Sequence, residues 1–285
     1  MSGHDGAKGD GPDEPELEAE LELEAMDLDD DDLLNVLRLI AERAGKVTLA
    51  YYAKVEDIEV RAKADASPVT EADEATEEFI LRALDKLTPE IPVVSEEAAA
   101  AGRVPDISGG LFWLVDALDG TKEFLSGNDE FTVNIGLIRD GEPVAGVVHA
   151  PALAQTWAGA EADGASFSQA DRPPTPIEAR ALPETGAVVV ASRRHGDARE
   201  LDRFLADYDI DEQIGAGSSI KFCLVASGKA DLYPRFGRTM EWDTAAGHAV
   251  LLAAGGSVIR ADTGEVLTYG KPGLDNPHFI ARGKT

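Results

Sequence analysis

The chain has 285 residues, 44% of them hydrophobic, which suits one large domain or two joined lobes with a substantial core. Its formal net charge of -28 at pH 7 gives a long-range field of the wrong sign for non-specific nucleic-acid binding or for attraction to anionic membranes. The single cysteine, Cys223, excludes a disulfide framework within the chain and a cysteine-rich zinc site, and it fits a reducing cytoplasm.

The acid is unevenly placed: Met1 to Asp32 holds 14 Asp and Glu against the single Lys8. Few bulky residues and strong self-repulsion predict a disordered acidic tail over residues 1–30, either simply solvated or an arm for a basic partner. The N-terminus lacks the basic-then-apolar order of a secretory signal, and no run of about 18 apolar residues is present to span a bilayer. Peripheral attachment to the inner face of a membrane would need no such run.

Asp32 is a helix N-cap candidate, followed by apolar residues at helical spacing from Leu33 towards Tyr52. Glu59 to Ala62 reads as a short strand, Ala66-Ser67-Pro68 as a break, and Glu71 to Leu87 as a second helix. Two apolar runs, Ile91 to Val94 and Leu111 to Val115, end in carboxylates. Three strands follow between Phe131 and Ala160, turning at Asp140-Gly141 and at Pro151-Ala152. The proline-rich segment Gln169 to Pro183 is the expected link between an α+β lobe over 31–176 and an α/β lobe over 177–285. That second lobe reads as strand Val188 to Ala191, helices Ala198 to Ala206 and Ser219 to Ser227, strand Lys229 to Tyr233, and helix Thr244 to Ala254. Alternating helices and strands favour a layered α/β fold with the site between the lobes.

Several segments place acids at element ends: Asp73 after SPVTEA, Glu96 in SEE, Asp116 and Asp119 in DALDGT, and Asp243 in EWDTAAGHA. Any one of them alone is also an ordinary cap or surface acid. Together they offer hard oxygen ligands with few histidines nearby, a set suited to magnesium. If Glu96, Asp116, Asp119 and Asp243 converge, their four charges balance two divalent ions. Gly120 lets the backbone come close, and a helix starting near Thr121 would turn free amides towards a phosphate.

SPVTEAD, SEE, WLVDALDGTKEF and EWDTAAGHAV together resemble the inositol monophosphatase superfamily of metal-dependent, lithium-sensitive phosphatases. GSSIKFC, LYPRFG and the TKEF after DG are similar to its bacterial CysQ-type 3'(2'),5'-bisphosphate nucleotidase branch, and the likeness covers about Leu33 to Ala281. It implies a layered αβαβα sandwich of the sugar-phosphatase type. It also implies a magnesium-dependent phosphatase, with two or three ions per site, that removes the 3'-phosphate of adenosine 3',5'-bisphosphate, or of its sulfated form, in sulfate assimilation. By the same resemblance Glu96, Asp116 and the carbonyl of Leu118 hold a first ion, and Asp116, Asp119 and Asp243 a second. Asp73 would assist Thr121 in activating water, with Glu96 as a further candidate for that role. Contacts to the nucleotide bisphosphate fall on Glu96, Leu118, Asp119, Gly120, Thr121, His195, Ser218, Lys221, Arg235 and Asp243. One departure is Ala117, where the family usually has proline.

Two rivals remain. A sister phosphatase acting on inositol phosphate or fructose bisphosphate would keep the metal acids without a nucleotide preference, and a non-catalytic protein would use the acidic tail to recruit basic partners. Whether the chain is a monomer or a homodimer is left open. His149, His248 and Cys223 read as packed structural residues, and no strand-GxGxxG-helix unit supports a dinucleotide fold.

Overall fold

A computed structural model of the chain describes residues 32–58, 60–62, 68–193 and 196–284. The acidic segment expected to be disordered, together with Glu59, Ala66, Ser67 and His195, lies outside them. Helix α1 (Leu33–Tyr52) starts where Asp32 Oδ1 accepts the amides of Leu34 and Asn35 at 3.0 and 3.3 Å. Strands β1 (Arg61–Ala62) and β2 (Pro68–Val69) pair antiparallel and lead into helix α2 (Glu71–Leu87). Thr70 and Asp73 form a capping box at its start, and the acids of its first turn complement the positive helix end.

The large sheet runs in spatial order β3 (Val93–Ser95), β4 (Leu111–Asp119), β5 (Thr132–Arg139), β6 (Glu142–Ala150), β7 (Gln155–Ala160), β8 (Gly164–Gln169) and β9 (Thr175–Ile177). Only β3 and β4 pair parallel; the rest is an antiparallel meander. Short helices α3 (Glu96–Ala100) and α4 (Thr121–Leu125) follow β3 and β4. The segment read as an inter-lobe link carries β9, which extends this sheet at its edge; Pro176 within it hides the strand from a propensity reading.

The smaller sheet comprises β10 (Ala187–Ala191), β11 (Ile210–Gly215), β12 (Leu232–Arg235), β13 (Ser257–Arg260) and β14 (Phe279–Arg282), in spatial order β11-β10-β12-β14-β13. Helix α5 (Ala198–Leu205) precedes β11, α6 (Ile220–Ala226) precedes β12, and α7 (Ala245–Ala253) precedes β13.

Alternation along β4 sets the layers. Trp113 and Val115 face α1 and α2, packing with Leu37, Ile40, Phe79 and Leu84, while Phe112 and Leu114 face the opposite way. On that second side α6 and α7 lie between the two sheets and share one core with both, through Phe222, Val250, Leu251, Val258 and Phe279. Helix α5 covers the outer face of the small sheet with Phe204 and Leu205 against Ala187, Val189 and Leu232. The order helix, sheet, helix, sheet, helix is the αβαβα sandwich. Each large core side chain buried in it contributes about 1.5–3 kcal/mol.

Candidate active site

Strand β4 does not stop at Val115 but runs on through Asp116 to Asp119. In a regular strand residues three apart face opposite sides of the sheet. Here Asp116 pairs with Asn134 and Asp119 with Thr132, so Ala117 and Leu118 together stand opposite Val133, a bulge of one extra residue. Because Asn134 and Thr132 share a face, Asp116 and Asp119 do too. Asp116 is buried, and its Oδ1 accepts the Leu118 amide at 3.1 Å. Gly120 then turns the chain at φ +94°, a conformation that favours glycine, and α4 begins at Thr121.

The capping box of α2 is also part of the site. Asp73 Oδ2 accepts the Thr70 amide at 2.8 Å and its hydroxyl at 2.7 Å, which leaves Oδ1 to accept the Thr121 hydroxyl at 3.1 Å. The next turn of α2 serves Glu96: the buried Glu77 carboxylate accepts the amides of Glu97 and Ala98 at 2.8 and 2.9 Å, fixing the start of α3. Burial, the largest influence on Glu77, raises its pKa, and these backbone bonds oppose the rise.

The second half of the chain brings Asp243, Ser218, Lys221 and Arg235 to the same place. They join Glu96, Asp119, Gly120 and Thr121 in the lining of one cleft of about 290 Å³. Asp243 Oδ2 accepts the Met240 amide at 2.9 Å. Lys221 is buried, and its Nζ donates to the carbonyls of Ser218 and Ala216. The Ser218 hydroxyl is directed at main chain, 2.8 Å from the carbonyls of both Asp119 and Glu130.

Electrostatics bind these groups together. Burial first, then repulsion from Glu96 and Glu123, pushes Asp119 up to about 6, against the pull of Lys221 and Arg235. Burial and the charges of Asp119 and Glu96 drive Asp243 well above the usual carboxylate range. Burial lowers Lys221 to about 8, with Asp119 opposing the shift. Glu96, Asp119 and Asp243 therefore act on one another as like charges held together by the fold. Among the described residues no three carboxylate, imidazole or thiolate groups form a ready-made metal cage. The donor chemistry, carboxylate oxygens under mutual repulsion with no imidazole or thiolate among the described residues that line the cleft, nevertheless fits a hard divalent cation.

Asp73 reaches the cleft through Thr121, whose hydroxyl also lies 3.4 Å from the Leu118 carbonyl; Asp116 is the last regularly paired residue before the bulge and does not itself line the cleft. Sequence reasoning passed over Arg193, Arg238 and Tyr233, which line the same cleft, and Glu130, Thr132 and Asn134, which hold it. The polar Thr132 and Asn134 inside an otherwise apolar strand were the available signal: with Ser219 they form a buried network, Thr132 Oγ1 to Ser219 Oγ at 2.9 Å and Asn134 Nδ2 to Thr132 Oγ1 at 3.2 Å. His149 and His248 are packed as expected, bonded through Nδ1 to Thr156 and Tyr269, and Cys223 is buried.

Residues 29–281 match the profile of the Inositol monophosphatase family. The chain belongs to that family. Its members are metal-dependent phosphatases. This inositol monophosphatase family chain is 45% identical over 227 residues to the 3'(2'),5'-bisphosphate nucleotidase CysQ of Escherichia coli strain K12, covering 79% of this chain and 89% of the relative. It is 47% identical over 220 residues to that of Salmonella typhimurium strain LT2, covering 77% and 87%. The crystal structure of CysQ from Bacteroides thetaiotaomicron, described as a bacterial member of the family, superposes with a TM-score of 0.74 at 36% identity, covering 88% of this chain and 97% of that one.

Proposed function

We propose that the chain is a cytoplasmic 3'(2'),5'-bisphosphate nucleotidase that hydrolyses the 3'-phosphate of adenosine 3',5'-bisphosphate with magnesium, returning AMP and phosphate to sulfur metabolism. The observation that carries this reading is the meeting of two charge signs in one cleft: a carboxylate trio at Glu96, Asp119 and Asp243, and cations at Lys221, Arg235 and Arg238. A ligand that brings both metal and more than one phosphate satisfies both sets. A monophosphate would leave the second largely unused. The nucleotidase names of the relatives support the same choice.

Glu96, Asp116, the Leu118 carbonyl, Asp119 and Asp243 would hold the magnesium. When bound, the ion offsets the carboxylates, polarises the phosphoryl group and acidifies water. The chain's own contribution to proton movement is the Thr121 and Asp73 pair. With its proton donated to Asp73 Oδ1, Thr121 presents a lone pair to an incoming water. As the water attacks phosphorus, its proton passes to Thr121 Oγ1 and the Thr121 proton to Asp73, while the bond from phosphorus to the ribose 3'-oxygen breaks and that oxygen takes a proton from solvent to leave as the 3'-hydroxyl of AMP. Gly120 keeps the backbone open beside the reacting phosphate, and Lys221 and Arg235 oppose the charge of the second one.

Phosphate release with magnesium on adenosine 3',5'-bisphosphate beside inositol 1-phosphate tests the substrate. We expect kcat/KM at least ~10-fold higher for the nucleotide, a margin set by desolvated charge contacts. A larger value for the inositol ester overturns the proposal.

A further inference from the structure

We propose that Glu130 is a positioning residue that clamps the loop carrying Gly217 and Ser218, just ahead of α6, onto the end of β4, and so fixes Asp119 for magnesium; the substrate arm of its test rests on the reading above.

Glu130 precedes β5 and lies far in sequence from everything it holds. Its carboxylate accepts the Gly217 amide at 2.7 Å and a two-pronged contact from Arg193, with Nη2 at 2.8 Å from Oε1. Arg193 Nη2 reaches on to the Gly215 carbonyl at 2.6 Å, so one guanidinium ties Glu130 to the end of β11. The main chain of Glu130 takes part as well, since its carbonyl accepts the Ser218 hydroxyl at 2.8 Å. That hydroxyl lies equally close to the Asp119 carbonyl, and Ser218 itself is held at φ +46°, a left-handed conformation uncommon for a side-chain-bearing residue. Contact is closest at Gly217, where a Cβ would stand 2.7 Å from the Glu130 carbonyl oxygen and 3.0 Å from its Cβ.

The chain of contacts is continuous: Arg193 to Glu130, Glu130 to Gly217 and Ser218, Ser218 to Asp119. A bidentate pair at the half-exposed Arg193 would by itself do little. Its effect here is geometric, because the same carboxylate seats an amide whose neighbour touches a proposed metal ligand. Misplacing such a ligand by about 1 Å costs on the order of 100-fold in rate.

Glu130→Ala tests the proposal in the full chain, with magnesium titrated by calorimetry and kinetics measured on adenosine 3',5'-bisphosphate. The expected result is a retained fold by circular dichroism, a magnesium Kd weakened about tenfold and kcat lowered at least about tenfold. Glu130→Gln, which keeps an acceptor for the Gly217 amide, should recover most of both. Kd and kcat within about twofold of the parent overturn the proposal. So does a raised KM alone, which would make Arg193 a direct substrate contact that Glu130 merely holds. Calorimetry needs no turnover, so the magnesium arm decides the clamp even if the parent proves inactive on the bisphosphate. If Glu130→Ala does not fold, Arg193→Ala, at a half-exposed position, is read against the same thresholds.

Discussion

Thr121 has one hydroxyl proton and two neighbours able to receive it, Asp73 Oδ1 at 3.1 Å and the Leu118 carbonyl at 3.4 Å. The shorter bond to a carboxylate wins, and the geometry of a hydroxyl then leaves its lone pairs facing the cleft. Thr121→Ala should lower kcat by roughly 10²–10³-fold with KM changed only a few-fold, since what is lost is proton handling in the transition state. Thr121→Ser, which keeps the oxygen, should retain most of the activity in the same steady-state assay. Both partners were legible as residue types in the motifs, but their contact spans 48 positions and belongs to the fold. Asp73 does two jobs with two oxygens: the helix cap is readable from TEAD, whereas the partnership with Thr121 was implied only by family resemblance and takes its geometry from α4 set beside α2.

At the scale of elements, α2 acts as a rail for the site, presenting Asp73 in its first turn and Glu77 in its second. Glu77→Ala leaves the amides of Glu97 and Ala98 without their carboxylate acceptor, which should cost about 1–3 kcal/mol of stability by denaturant unfolding. It should also lower kcat by loosening Glu96, and Glu77→Gln should fall between the two. Helix α1 and helix α2 could be read from sequence because caps and apolar period agree over 20 and 17 residues. Strand β11 could not: its exposed IDEQIG carries no apolar alternation and is held by pairing with β10. Strands β13 and β14 are short pieces of four residues each, and they gain strand character from each other. The bulge in β4 was likewise hidden. DALD shows two acids three apart, but which face each takes depends on the partner strand's register.

For the whole molecule, the carboxylate trio sets stability against function. Asp243→Asn removes a carboxyl whose ionised form is opposed by burial and by Asp119 and Glu96, so the metal-free chain should become more stable. The parent's Tm should rise with added magnesium and the variant's should not, as differential scanning calorimetry would show. The buried histidines make stability depend on pH. Burial pushes His149 down to about 4 and His248 to about 3, so both stay neutral in the folded chain while the unfolded chain protonates them from about pH 6.5 downward. Between those values the unfolded state binds more protons, and stability is lost as pH falls. His149→Asn should therefore lose about 2 kcal/mol less than the parent between pH 7 and pH 5 in urea unfolding with saturating magnesium.

The order in the small sheet carries a consequence for how the protein is made. Strand β14 lies between β12 and β13, although it is the last of the three to leave the ribosome. Until residues 279–282 emerge, the strand ending in Arg235 lacks its neighbour, and α6 and α7 have an incomplete floor. The acids of β4 and their partner strand β5 have by then already been synthesised. A nascent chain thus contains the β4 acids before β14 completes the sheet that seats Arg235, and in that interval a cation from solution would have to be their counter-charge.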